Sequence, residues 1–262
     1  MFRKTLITVI GCGVMAFGCQ AETEVDSHSA DTAEIMGNLI AAGFPKSDIQ
    51  LYDGVVYVGN DAEVSLEASR EMVDGMAFDT SEKQYRTNNL VGSDISTICV
   101  NGSAYTGTLS AALDAAIDNY NALGLSFSMT RTSSKRAPGC DATITAKVVS
   151  GVGGSAGFPK GGRPYGTINI GAGTADFGVN TTEHVITHEL GHCVGLRHSD
   201  FYDRSISCGS GGNEGGGGVG AIHIPGTPED AREGGSLMNS CFRANETGEF
   251  TSSDRSALQT LY

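Results

Sequence analysis

The alternation of hydrophobic and polar positions predicts a mixed α and β domain over residues 95–262. Apolar side chains recur every three or four residues between positions 109 and 123, which is typical of an amphipathic helix. Strands are predicted at 95–100, 125–130, 141–149 and 167–170, and hydroxyl residues begin a closing helix at 251–262. The strand at 167–170 alternates in a way that suits either a plain sheet edge or an edge that accepts a substrate peptide as an added strand.

The pattern before residue 95 is weaker and indicates separate pieces. Residues 19–31 are polar and suit a tether, and 32–45 predict a short helix ended by Gly43-Phe44-Pro45. Residues 49–58 predict a hairpin that turns at Asp53-Gly54, and the polar stretch 85–94 predicts a linker. We therefore divide the chain into an N-terminal subdomain or propeptide-like segment with its linker at 32–94 and a main domain at 95–262.

The first residues predict export from a bacterial cell. Arg3 and Lys4 precede an apolar run that is too short to span a bilayer, so 1–18 form an export signal. Ala16-Phe17-Gly18-Cys19 resembles a lipoprotein cleavage box with Cys19 as the lipidated residue, although alanine replaces the usual leucine. The protein is expected to be lipid-anchored at the cell envelope through Cys19, or secreted after an ordinary signal peptide is cut near Gly18 or Ala21.

Candidate chemistry is concentrated in one stretch, His188-Glu-Leu-Gly-His192-Cys-Val-Gly195-Leu-Arg-His198. On a helix, His188 and His192 share one face, so both rings can reach one ion. Gly195 allows the backbone to leave the helix through a left-handed conformation, which brings His198 back as a third ligand. Three protein ligands leave the fourth tetrahedral position for water, as in a catalytic zinc site.

Glu189 follows the first histidine and lies beside the metal without binding it. Its carboxylate is the candidate general base, because zinc lowers the pKa of bound water to about 7 and a base of ordinary strength then suffices. A noncatalytic zinc-stabilised surface binding module would have no use for a base there. A hydrolase of a non-peptide amide would share the same metal and base, so it stays an alternative.

The motif and the segments after it carry a family resemblance. HELGHCVGLRHSD, followed by NEG, GVGAIHIPGTP and SLMNS, resembles the metzincin metalloproteases and most closely the dual-action HEIGH metallopeptidase family, over roughly residues 35–262. The resemblance implies an α+β, two-lobed zincin domain with a mixed twisted sheet, an active-site helix, and a small C-terminal lobe with a closing helix. It implies a zinc endopeptidase acting on proteins or peptides, with one catalytic Zn²⁺ on His188, His192 and His198, Glu189 as base, and Met238 in a Met-turn.

Three further residues bear on the site. Some metzincins have a tyrosine zinc ligand, which stands two residues after the Met-turn methionine. In this chain that position holds Ser240, so no tyrosine ligand is predicted. Asp200 either accepts the second ring N–H of a zinc histidine or caps the following loop.

Asp61 is a candidate for the fourth metal position. In some relatives an aspartate of a Gly-Asp motif in the proregion occupies the fourth zinc position. Asp61 in Val58-Gly59-Asn60-Asp61 is a loose analogue, either a latency switch or an ordinary turn carboxylate.

The cysteines agree with an oxidising compartment. Apart from Cys12 and Cys19, five remain, and our preferred pairs are Cys99 with Cys140 and Cys208 with Cys241. Cys193 would then be a free, buried thiol on the zinc helix, although its pairing to Cys208 or Cys241 stays open. It is not expected to bind zinc, because it points away from the face that His188 and His192 share.

Composition adds mainly exclusions. A net charge of −13 argues against nucleic-acid binding, and we expect a monomer with no membrane contact beyond a lipid on Cys19. Glycines concentrate at 209–220 and predict a mobile rim of the cleft. Within that stretch, Asn213 and Glu214 offer weak support for a calcium site. His184 and His223 are expected to be surface or core histidines.

Overall fold

The computed structural model describes residues 21–74, 84–215, 220–228 and 230–262. The predicted export signal and Cys19 lie outside these ranges. Among the described helices, none combines the length and apolar character needed to span a membrane.

The described chain forms a mixed α+β fold. Its helices are α1 (Ala21–Ala41), α2 (Leu66–Asp74), α3 (Gly107–Asn121), α4 (Gly178–Val194), α5 (Ser205–Cys208) and α6 (Ser252–Leu261), with short 3-10 helices at Lys46–Asp48 and Ala172–Phe177. Its strands are β1 (Gln50–Tyr52), β2 (Val55–Val58), β3 (Ala62–Glu63), β4 (Tyr85–Arg86), β5 (Thr97–Asn101), β6 (Ser128–Thr132), β7 (Ala142–Val149), β8 (Gly154–Gly157), β9 (Thr167–Gly171) and β10 (Ile222–His223).

One mixed sheet of eight strands organises the molecule, in the order β1-β2-β3-β8-β9-β7-β5-β6. The β6, β5, β7 and β9 strands run parallel to one another, while β8 is antiparallel to β9. Buried side chains of β5, β7 and β9 pack with α3 and α4 in the main hydrophobic core. The α3 helix buries the apolar stripe predicted for it: Leu109, Ala112, Leu113, Ala116, Ile117 and Tyr120.

Helix α4 differs from α3 because it is buried on all sides. Every residue from 181 to 194 is buried, so this helix has no solvent-facing stripe. It begins at Gly178, and no side chain caps its first turn. The Thr181 hydroxyl donates to the Ala244 carbonyl, and the Thr182 hydroxyl lies 3.0 Å from the Thr174 carbonyl, so both side chains contact segments outside the helix.

The lower part of the molecule, residues 196–262, completes the predicted two-lobed arrangement. Helix α6 closes the chain, and its cap is centred on Asp254. The Asp254 carboxylate accepts hydrogen bonds from the backbone N–H of Thr251 and Leu237 and from the hydroxyl of Ser236. One buried carboxylate therefore caps α6 and fixes the turn that carries Met238.

The N-terminal segment is a packed layer. Its hairpin turns at Asp53-Gly54 as predicted, and β3 pairs in parallel with β8, with Ala62 opposite Ala156. A second hydrophobic core holds the segment together and includes Phe158 from the rest of the fold, residues 84–262, which we call the catalytic body. Its residues are Leu39, Ala42, Phe44, Ile49, Val56, Val58, Ala62, Val64, Met72 and Phe158. Helix α1 begins at Ala21, so it extends over most of the predicted tether as well as the predicted short helix.

Two predictions about exposed segments are wrong. Residues 85–94 do not form a polar linker: Tyr85 is 2% exposed, β4 pairs with β10, and the Thr87 N–H donates to the Gly195 carbonyl. The strand at 167–170 is not an edge, because β9 lies between β8 and β7. Without the strands of the N-terminal segment, the two edges of this sheet are β8 and β6, and the glycine-rich sequence of β8 has no apolar alternation to reveal it.

Both predicted disulfides are present. Cys99 in β5 is bonded to Cys140 just before β7, and Cys208 at the end of α5 is bonded to Cys241 after the Met238 turn. Cys193 is free and buried, as expected, with its thiol against the Thr167 carbonyl. The second bond joins the loop after α5 to the segment beneath α4.

Replacing Asp254 with alanine tests the role of this cap. We expect Asp254→Ala to lower the free energy of unfolding by about 3 kcal/mol, because it removes a helix cap and leaves buried donors without an acceptor. Asp114→Ala is the control, since Asp114 is 58% exposed in its pair with Arg131 and such pairs contribute about 0–1 kcal/mol. Chemical denaturation measures both, and equal losses would contradict the assignment.

Candidate functional site

The end of α4 and the turn after it bring the three motif histidines together. His188 and His192 stand one turn apart on α4, which ends at Gly195 with φ 108° in the left-handed region. A side chain at Gly195 would also place its Cβ 2.8 Å from Leu90, so glycine is required for space as well as for conformation. The chain then returns to place His198 beside the other two rings.

The Nε2 atoms of the three rings converge on one point. They lie 3.0 Å apart between His188 and His192, 3.2 Å between His188 and His198, and 3.3 Å between His192 and His198. All three rings are buried, with at most 6% of each residue exposed. Buried nitrogens at these separations require a shared proton or a shared cation between them.

The other nitrogen of each ring is occupied. Nδ1 of His188 donates to the Leu237 carbonyl and Nδ1 of His192 to the Leu196 carbonyl, both at 2.9 Å. Nδ1 of His198 lies 2.6 Å from Oε1 of Glu214. Because Nδ1 carries the proton in each ring, every Nε2 presents a lone pair to the common point.

These positions fit a tetrahedral metal ion. Ligand nitrogens about 2.0–2.1 Å from an ion at tetrahedral angles are separated by about 3.3 Å, close to the Nε2 separations in this cluster. Three neutral imidazoles with oriented lone pairs are the donors that zinc accepts. The predicted set of His188, His192 and His198 is therefore assembled as a possible metal centre.

Asp61 supplies a fourth side chain to this cluster. Its Oδ2 lies 3.0 Å from Nε2 of His198 and 3.6 Å from Nε2 of His188, and its Oδ1 lies 3.7 Å from Nε2 of His192. Its side chain is only 14% exposed. Burial raises the pKa of Asp61, but positive charge at the facing cluster, first at His198, more than offsets it and holds that pKa well below its usual range. An ionised carboxylate thus faces the point on which the three rings converge.

Glu189 lies beside the cluster beneath β8. It is 2% exposed, and its Oε2 has no hydrogen-bond partner among the described residues. A Cβ at position 154 would lie 2.5 Å from Oε1 of Glu189, so a glycine at this position of β8 leaves room for the carboxylate. Burial, followed by the negative charge of Asp61, raises the pKa of Glu189 well above its ordinary value.

Met238 lies directly beneath the histidine helix. It is fully buried, and a Cβ at Gly191 would lie 2.7 Å from its Sδ, so α4 and the turn are in close contact. The Met238 carbonyl accepts the N–H of Ser199, and the neighbouring Leu237 carbonyl holds His188. The predicted Met-turn residue therefore packs under the cluster.

The structure gives Asp200 and Glu214 roles that the sequence did not reveal. Asp200 touches none of the rings: it accepts hydrogen bonds from Ser207 and from Ser240. Glu214 is the side chain that contacts Nδ1 of His198, and Oδ1 of Asn213 accepts the Gly215 N–H. The calcium site suggested for these two residues stays a prediction. Nothing in the spacing of the NEG segment indicated this contact.

The remaining histidines lie outside the cluster, as expected. His184 is buried in α4, and burial, together with the charge of His188, lowers its pKa to about 4. His223 bonds the Thr227 hydroxyl. Neither belongs to the group of side chains whose ligand atoms lie within 4.8 Å of one another.

Metal titration tests the cluster. Full-length protein is expected to bind one Zn²⁺, and His192→Ala to lower the affinity by more than about 100-fold, since even the loss of an outer hydrogen-bond partner costs about 10- to 100-fold. His223→Ala should bind like the wild type. Competition with a chromophoric chelator measures all three, and unchanged binding by His192→Ala would rule out this centre.

Comparison with known proteins agrees with the geometry. The family model described as dual-action HEIGH metallo-peptidase matches residues 56–262. No curated protein matches the sequence. Two solved structures of myroilysin are similar, one at 12% identity and TM-score 0.37 over 66% of this chain and 95% of that chain. The other has 11% identity and TM-score 0.36 over 71% of this chain and 88% of that chain. With its family model covering most of the sequence, the chain belongs to the dual-action HEIGH metallo-peptidases and is a metal-dependent hydrolase of peptide bonds.

Proposed function

We propose that this protein is a zinc-dependent endopeptidase in which Glu189 is the general base. The observation that carries the proposal is the orientation of the three rings: each Nδ1 is bonded elsewhere, so each Nε2 lone pair faces one point. His188, His192 and His198 would hold the ion. Three imidazoles suit Zn²⁺ better than the hard cations, which prefer oxygen ligands.

A bound zinc would acidify the attacking water and polarise the scissile carbonyl. Glu189 accepts the proton of that water and delivers it to the leaving amine. Its position supports this role, because the carboxylate is buried against Gly154 of β8 and its Oε2 has no hydrogen-bond partner among the described residues. Burial also raises its pKa, which suits a group that must both take up and release a proton.

The β8 strand is the proposed binding strand for the substrate. It is one edge of the catalytic body's sheet, and Gly154 lies against Glu189, so a peptide added along β8 would pass over the base. In the described structure β3 occupies that edge, and the Ala156 N–H donates to the Asp61 carbonyl. Substrate and β3 cannot use the same edge at once.

We further propose that the N-terminal segment keeps the enzyme latent. Asp61 faces the three histidines with an ionised carboxylate, and β3 covers β8 directly beside it. Both contacts come from the same packed segment, so its removal would free the metal position and the binding strand together. An ordinary turn carboxylate, the alternative for Asp61, would have no reason to be buried against three imidazoles.

Export, with a lipid on Cys19 or without it, remains part of the proposal, as does a monomeric state. Support comes from the two disulfides, which are stable in an oxidising compartment. A noncatalytic binding module is the second candidate. The buried Glu189 speaks against it, because a structural metal site gains nothing from an unsatisfied carboxylate beside it.

Glu189→Gln separates the two candidates. The measurement is cleavage of an unfolded protein substrate by two forms of the enzyme. One is the full chain carrying Asp61→Ala, and the other begins at Gln84, because residues from Gln84 onward pack in the catalytic body. Adding Glu189→Gln should lower kcat/KM about 100- to 10,000-fold while zinc binding persists. Cleavage that survives Glu189→Gln would refute the base, and absence of cleavage in every zinc-loaded form would favour the binding module.

Asp61→Ala tests latency in the full chain. We expect cleavage to rise at least about 10-fold, which corresponds to about 1.4 kcal/mol of lost interaction between the segment and the site. Asp53→Asn is the matched control, because Asp53 is an exposed turn residue of the same segment and asparagine tolerates its φ of 49°. Equal activity of the wild type and Asp61→Ala would show that Asp61 is no switch.

A further inference from the structure

Asp61 faces Nε2 of the third histidine, and of the two further carboxylates near this residue, Glu214 and Asp200, only Glu214 contacts its ring. Glu214 places Oε1 2.6 Å from Nδ1 of His198, and both side chains are 2% exposed. Asp200, two residues after His198, accepts its hydrogen bonds from Ser207 and Ser240 instead. The acceptor for the ring of His198 is therefore a residue 16 positions further along the chain.

This contact differs in kind from those of the other two rings. His188 and His192 donate Nδ1–H to neutral carbonyls, whereas His198 donates to a carboxylate. A charged acceptor makes a stronger hydrogen bond, and it raises the basicity of the opposite ring nitrogen. Of the three rings, His198 is thus the one whose Nε2 gains most basicity and therefore most strength as a metal ligand.

We propose that Glu214 is the positioning residue of this metal centre, fixing the ring of His198 and strengthening it as a ligand. The inference rests on the proposed zinc function, since it concerns the same ion. Glu214 acts through His198 and has no part in the substrate's chemistry.

Glu214 is held in place by its surroundings. Nη2 of Arg197 lies 3.3 Å from its Oε2, and the Ser240 hydroxyl oxygen, which also contacts Asp200, lies 3.2 Å from its Oε1. Its own N–H donates to the Phe201 carbonyl at 2.7 Å. The disulfide between Cys208 and Cys241 joins the loop before Glu214 to the segment that begins after Ser240. A carboxylate fixed in this way can impose an orientation on the imidazole it contacts.

The N-terminal segment shields this contact from water. Gly59 packs on the carboxylate so closely that a Cβ there would lie 3.1 Å from Cδ of Glu214. The Gly59 N–H donates to Asp48, which pairs with Arg204 at 3.2 Å. The turn that carries Asp61 to the metal position therefore also covers Glu214, in surroundings where a charge-assisted hydrogen bond is strong.

The test measures Zn²⁺ affinity of the full-length protein by chelator competition, together with the visible spectrum of the Co²⁺-loaded protein. Glu214→Gln keeps the shape and an acceptor oxygen but removes the charge. We expect its Zn²⁺ affinity to fall about 10- to 100-fold and its Co²⁺ bands to change. Asp200→Asn makes the same change at a buried carboxylate that contacts no histidine, and it should match the wild type in both measurements.

A second variant keeps the proposal testable if Glu214→Gln does not fold. Glu214→Asp retains the charge beside Arg197 but withdraws the carboxylate from His198 by one methylene, so the same loss of zinc affinity is expected. Wild-type affinity in both Glu214 variants would overturn the proposal. Equal losses in Asp200→Asn and the Glu214 variants would also overturn it, because they would reflect a loosened loop.

The same experiment separates this inference from the proposed function. If the wild-type chain fails to bind Zn²⁺, both are wrong. If it binds Zn²⁺ but cleaves no peptide after the N-terminal segment is removed, the peptidase proposal fails while the effect of Glu214 on metal affinity can still be measured.

Discussion

The burial of α4 on every side is the constraint on which the site depends. An imidazole inside a protein must have both nitrogens satisfied, and the metal position can serve only one of them. The carbonyls of Leu237 and Leu196 and the carboxylate of Glu214 serve the other. These partners come from the lower lobe and the helix exit, so the lobe must pack beneath α4 before the three Nε2 atoms align. Asp254, which holds the Leu237 turn, is part of the same requirement.

The N-terminal segment is joined to the catalytic body by the features that a substrate would use. It extends the sheet at β8, directs Asp61 at the histidines, and buries Phe158 in its own core. The ring of Phe158 also contacts His192, with centroids 5.5 Å apart. Departure of the segment would therefore expose apolar surface immediately beside the histidine cluster, so the packing of the segment and the surroundings of the cluster are linked.

Regular elements with a strong local pattern were predictable. Helix α3 shows its period because one face meets the core and the other meets water, and the hairpin at Asp53-Gly54 follows from its turn residues. The errors fall where local pattern and environment disagree. Residues 85–94 are polar yet packed, since their backbone pairs with β10 and with Gly195. The β8 strand, Gly154–Gly157, lies between β3 and β9 and is half glycine, which leaves no alternation to detect.

The sequence by itself determined the register of His188, Glu189, His192, Gly195 and His198, because helix geometry and one left-handed residue fix those positions within a few turns. It offered Asp61 only through a resemblance, with an ordinary turn carboxylate as the alternative, and it did not indicate the contact of Glu214 with His198. Asp61 and Glu214 reach the histidines from 137 and 16 positions away, while the nearer Asp200 turns aside to two serines. Contacts across such separations depend on how the sheet, the loop and the lower lobe pack together, and that packing is a property of the tertiary structure alone.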